Sequence, residues 1–105
     1  MTAPTRAREW IWPADVLTFA AEHGLAPYLE PVLEMTRRLF PGRAIATEVT
    51  ADYEIPDERY ITVWVNVTGL TVEQLGAAED AWYAQLRQLC SRKNESLFYL
   101  GVEGN

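Results

Sequence analysis

Two runs, Arg43 to Ile55 and Tyr60 to Thr68, alternate apolar with polar residues, and Pro56-Asp57-Glu58-Arg59 joins them. This pattern predicts a β-hairpin. Strand side chains repeat every second residue, so Ile45, Thr47, Val49, Ala51, Tyr53 and Ile55 share one face of the first strand. Ile61, Val63, Val65 and Val67 share one face of the second. Around the hairpin the period changes to that of a helix. Val16, Phe19, Ala20 and His23 recur behind Pro13 and Asp15 and stop at Gly24, which predicts a short first helix. Leu29, Val32, Leu33, Thr36 and Phe40 predict a second, ending at Pro41-Gly42. Pro31 removes a backbone donor, so an irregular turn is expected before it and regular helix after it. The best-marked helix opens at Thr71, with Gln74 three residues on and Leu70 set to pack on Leu75, a capping box with a hydrophobic staple. Its apolar stripe is Val72, Leu75, Ala78, Trp82, Leu86 and Leu89, while Glu73, Asp80, Arg87 and Gln88 face outward. After a polar connection, Ser91 to Glu95, the segment from Ser96 to Glu103 alternates again as a third strand. Phe98, Leu100 and Val102 lie on one side of it, with Leu97, Tyr99 and Gly101 on the other.

The order α-α-β-β-α-β specifies an α+β fold: two N-terminal helices, a hairpin, a long helix and a third strand, with the helices packed on one face of a three-stranded sheet. The crossover from the second strand to the third is expected to be right-handed. We expect it to place the third strand beside the first and parallel to the second, which makes the first hairpin strand central. Residues 1–9 carry no apolar period and read as a flexible arm; residues 10–105 read as a single domain. If Ile61, Val63, Val65 and Val67 face the helices, the open side of the sheet carries Tyr60, Trp64, Leu97 and Tyr99. A contiguous apolar patch of this kind marks an interface, and aromatic residues dominate interface energetics. Self-association through this face or a strand edge is the expectation, two-fold dimers being the commonest oligomers. The plainer alternative is a face covered from within, by Trp10, Ile11 and Trp12 or by the first helix.

Composition narrows the partner. A chain of 105 residues that is 49% hydrophobic and 23% charged builds one core without metals or disulfides. The net charge is -6 and the nine basic residues are scattered, which argues against nucleic acid. A basic face for nucleic acid would have to come from Arg37, Arg38, Arg43 and Arg87. The clear cluster is acidic, Glu48, Asp52, Glu54, Asp57 and Glu58 with only Arg59 nearby: Asp52, Glu54, Asp57 and Glu58 at the hairpin end suit docking of a basic protein partner, and a solvated end that discourages aggregation is the simpler account. The loop lacks glycine and any calcium-loop pattern, so no metal site is expected. The single Cys90 forms no internal disulfide, and no apolar run suits a signal peptide or span. Both features point to a cytoplasmic protein without membrane association.

Little in the chain carries chemistry. His23 is the one histidine, which excludes a histidine pair, and its place at a helix end suits the dipole. Arg87, Arg92 and Lys93 near Cys90 would lower its pKa, but without a histidine base we read it as a packing residue. No nucleophile elbow or phosphate loop is present. Trp82 and Tyr83, with Trp10 and Trp12, are explained by core packing; a pocket enclosed by Tyr53, Trp82 and His23 is the form a small-molecule binder or minor enzyme would take. No catalytic residue and no cofactor is assigned. The expectation is a non-catalytic, homodimeric protein-protein interaction module.

Asp52, Glu54-Ile55, Asp57 and Tyr60-Ile61-Thr62-Val63, followed by Thr71-Val72-Glu73, give the C-terminal half its character. In these residues the chain resembles short uncharacterised bacterial α+β proteins with an acidic hairpin segment. That resemblance implies a small bacterial protein and brings no catalytic residue with it. The element order is also loosely similar to that of RNA-binding KH domains, but their basic Gly-x-x-Gly loop is absent here and the charge has the opposite sign.

Overall fold

Residues 11–51, 54 and 58–104 are described by the computed structural model. Its elements run α1 (Ala14–Glu22), α2 (Ala26–Leu39), β1 (Ile45–Ala51), β2 (Arg59–Asn66), α3 (Val72–Leu89), α4 (Arg92–Glu95) and β3 (Phe98–Glu103). The expected α+β order is therefore present, with α4 as one added turn in the polar connection. Residues 1–9, Trp10, Tyr53, Ile55 and Pro56 lie outside the described residues, as do Asp52 and Asp57.

Local chemistry explains the helix ends. Gly24 adopts a φ of 71° just past α1, and the Leu25 N–H donates back to the Ala20 carbonyl at 2.7 Å. That six-to-one bond closes α1 as a Schellman turn and drives Leu25 into the core. The capping box of α3 forms in full: Thr71 Oγ1 accepts from the Gln74 N–H, and the Gln74 side chain accepts from the Thr71 N–H, both at 3.0 Å. Leu70 and Leu75 both pack against the buried cluster. The helix α2 corrects one expectation. It runs unbroken through Pro31 instead of starting irregularly before it. The proline at position 31 deprives only the Pro27 carbonyl, and Pro27 is exposed, so that carbonyl stays open to solvent.

The sheet order is β1-β2-β3, so the central strand is β2. The expectation that the third strand lies beside the first is wrong. Instead β3 runs parallel to β2, with Ile61 opposite Phe98 and Trp64 opposite Gly101, while β1 pairs antiparallel on the other side, Ile45 opposite Val65 and Ala51 opposite Arg59. The reason lies in β2 itself. Ile61, Val63 and Val65 are wholly buried, and even Thr62, on the opposite face, is 5% exposed. A strand that buries both faces needs a neighbour on each edge, and α3 delivers β3 to the nearer one. Since Ala51 faces Arg59, the hairpin connection is residues 52–58, longer than the four-residue turn expected from the pattern.

One layer of helices covers the face bearing Ile61, Val63, Val65 and Val67. The core they share joins Val16, Phe19 and Leu25 from the first helical turn region, Leu29, Val32, Met35 and Phe40, and Trp82, Leu86 and Phe98. Val72, expected in the buried stripe of α3, is 88% exposed: it stands at the first position of the helix, before the packed portion begins. At the centre of the helical layer the Thr36 hydroxyl donates to the Val32 carbonyl at 2.7 Å and accepts the Trp82 indole N–H at 2.8 Å. Both Thr36 and Trp82 are fully buried, so this hydroxyl is what allows an indole donor into the core. Replacing it, as in Thr36→Val, strands that donor and lowers stability by about 1–3 kcal/mol in urea unfolding. An unchanged midpoint would contradict this role.

Candidate interaction surface

Strand alternation sends Tyr60, Thr62, Trp64 and Asn66 of β2 away from the helices, beside Ala46, Glu48 and Thr50 of β1 and Tyr99 and Gly101 of β3. On this face two side chains and the backbone at Gly101 hold one another in place. The Trp64 indole N–H donates to Glu48 Oε2 at 2.7 Å, toward β1. Its six-membered ring lies over the backbone of β3, because a Cβ added to Gly101 would stand 2.6 Å from Cε3 and 2.8 Å from Cζ3. The indole thus bridges all three strands, and only glycine at position 101 admits it. Beneath, the Thr50 and Thr62 hydroxyls share a hydrogen bond of 2.7 Å. Farther along, the Tyr60 and Tyr99 rings meet at 4.4 Å between centroids with planes 48° apart. Tyr99 stays 45% exposed.

Sequence reasoning placed Tyr60, Trp64 and Tyr99 on this face, and the structure brings them there. Leu97 is different. It precedes β3, donates its N–H to the Asn94 carbonyl at 3.0 Å and packs half-buried against the core cluster, because the turn of α4 rotates it out of the strand alternation. The covering segment considered from sequence goes elsewhere among the described residues: Ile11 is 83% exposed, and the Trp12 indole donates to Glu30 Oε2 of α2 at 3.0 Å. Glu48 and Gly101, which seat the Trp64 ring, were missed. Their signal is the strand register, and the longer hairpin connection hid it. Of the acidic docking residues, Glu54 and Glu58 are exposed, while Asp52 and Asp57 lie outside the described residues.

No known protein family, curated protein or solved structure matches this chain. What it does must be argued from these groups alone. His23 caps α1 from the surface, its ring 4.2 Å from that of Phe19. Cys90 is buried at the end of α3, and burial pushes its thiol above the ordinary value, with the Glu95 carboxylate adding to the effect. The lowering expected from nearby basic residues is therefore reversed, because desolvation disfavours the thiolate. Trp82 is sealed in the core and the Tyr83 hydroxyl accepts the Leu100 N–H at 3.1 Å, so neither opens into a pocket with His23. Arg38 is engaged with Gln85 and Arg43 with the Thr68 carbonyl. Among the described residues no group of three or more His, Cys, Asp or Glu is arranged to hold a metal ion, and no helix is long and apolar enough to cross a membrane.

Two outcomes test this geometry. In Gly101→Ala the new methyl group displaces the indole, so the NMR resonance of the Trp64 indole N–H, assigned by its loss in Trp64→Phe, moves toward that of a free indole; an unmoved resonance contradicts the seat. For Cys90, a raised pKa means less thiolate at neutral pH. Alkylation at pH 7.5 is then slower in the folded protein than in urea, and the stability gained from the neutral thiol is lost as pH rises from near 9.0 through the raised value. Equal alkylation rates would contradict the burial account.

Proposed function

We propose that this protein is a cytoplasmic, non-catalytic protein-protein interaction module that works as a homodimer, using its sheet, by the ring-bearing face or a free strand edge, to meet a second copy. The observation that carries the reading is the set of rings at Tyr60, Trp64 and Tyr99 on the face away from the helices, where Tyr99 is exposed and Tyr60 and Trp64 are half-buried. Exposed aromatic surface on a small domain is costly in water and is the usual material of interface hot spots. Seating Trp64 on Gly101 and Glu48 also removes rotamer freedom before any contact is made, which lowers the entropic cost of association. A net charge of -6 with exposed Glu54 and Glu58 at the hairpin end favours a basic protein as a further partner.

Native mass spectrometry at micromolar concentration is expected to give twice the chain mass of 11.9 kDa, and Trp64→Glu to shift it toward the monomer. A strict monomer whose mass and solubility are indifferent to Trp64→Glu would overturn the proposal. For the acidic end, binding of an oligo-arginine peptide is expected to weaken with salt and to be lost in Glu54→Lys/Glu58→Lys. The equally charged control Glu34→Lys/Glu73→Lys keeps it. Equal loss in both would reduce the effect to net charge and remove the docking role.

A further inference from the structure

The two edges of the sheet are unequal. Along β3 the outward-pointing N–H of Leu100 is taken by the Tyr83 hydroxyl of α3, which blocks strand addition there. Along β1 no such guard exists among the described residues. The Asn66 N–H donates to the Ala44 carbonyl, and from that phase the antiparallel ladder turns the backbone groups of residues 44, 46, 48 and 50 toward β2. Those of Ile45, Thr47, Val49 and Ala51 then point outward. This strand contains no lysine or proline, and its one charge, Glu48, is held by the Trp64 indole. Nor does α1 close the edge, because a cleft of about 620 Å³ lies between its Asp15, Thr18, Phe19 and Glu22 and the Val49 and Ala51 end of β1. In the middle of the strand Thr47 is 8% exposed, and its hydroxyl is buried with no hydrogen-bond partner. A buried hydroxyl without a partner is a standing cost that a second chain can relieve.

We infer that two copies of this chain join antiparallel along their β1 edges about a two-fold axis at Thr47. The inference rests on the homodimer reading above and names the seam. Only this register sets the two Thr47 side chains opposite each other, so that a turn about χ1 brings each enclosed hydroxyl to the other, and it sets Ile45 opposite the partner's Val49, a β-branched pair on the helical side. It also sets Glu48 opposite the partner's Ala46. Centring the axis on Glu48 would put two carboxylates face to face, and centring it on Val49 would leave the Thr47 hydroxyls unpaired. The result is one six-stranded sheet with all helices on one side. On the other side the two sets of rings lie on one continuous face, and Trp64, one strand removed from the seam, acts on it through Glu48, the seam residue that its indole holds.

The test compares three variants of the full chain by analytical ultracentrifugation and oxidative cross-linking. Ala46 is exposed and its backbone stays paired to β2, so substitutions there leave the monomer intact. Ala46→Glu creates two like-charge pairs with Glu48 across the axis and raises the dimer dissociation constant about fivefold; Ala46→Lys lowers it by about the same factor. Thr47→Cys forms a disulfide-linked dimer under mild oxidation, whereas the wild type, with only the buried Cys90, does not. A dimer indifferent to both Ala46 variants and not linked through position 47 overturns the seam while leaving the interaction module standing. A chain that is monomeric at every concentration overturns the seam and the homodimer together.

Discussion

The structure depends on the central strand having two unlike faces. Along β2, Ile61, Val63, Val65 and Val67 are removed from water by the helices, and Tyr60, Thr62, Trp64 and Asn66 alternate with them on the other side. The apolar row sets the position of every helix, since α2 and α3 must cover it. Burying these side chains is worth roughly 1.5–3 kcal/mol each, more than the about 0.5–1.5 kcal/mol of a typical hydrogen bond. The outward row cannot be polar throughout, because β2 is flanked on both edges and its outer face is crowded by β1 and β3. Thr62 is buried there under its neighbours, and Trp64 lies half-buried over Gly101. One strand thus both seals the core and displays the rings.

The Trp82 and Thr36 contact shows how the helical layer is keyed. Most of the core is aliphatic and would tolerate sliding, but an indole donor with a single buried acceptor fixes α3 against α2. That in turn places Tyr83 over the β3 edge, where its hydroxyl meets the Leu100 N–H. A polar pair in the core therefore decides which edge of the sheet is closed. Among the described residues the other edge stays open: α1 ends at the Gly24 turn, and a cleft lies between it and the Val49 and Ala51 end of β1.

Much of this could be read from the chain. Period and capping placed every major helix and strand, and the parity of β2 put Tyr60, Trp64 and Tyr99 on the open face. What escaped was pairing. Alternation says which residues share a face but is blind to which strand is the neighbour, so the order of β1, β2 and β3 came out wrong until the near-complete burial of β2 was visible. The register followed the same course: the connection of residues 52–58 is longer than the Pro56 turn suggested, and without it Glu48 and Gly101 cannot be matched to Trp64. Leu97 misled because α4, a single turn capped by the Ser91 hydroxyl accepting the Asn94 N–H at 3.3 Å, interrupts the strand alternation. The thiol of Cys90 misled because charges near in sequence count for less than burial, which only packing reveals.

The central claim is that the sheet is sealed on one side and open on the other. Hydroxyl-radical footprinting of the dilute protein, read residue by residue, addresses it directly. The account expects fast oxidation of Trp64 and Tyr99 and none of Trp82 until the protein unfolds. Protection of Trp64 and Tyr99 equal to that of Trp82, in a chain diluted to the monomer, would contradict it.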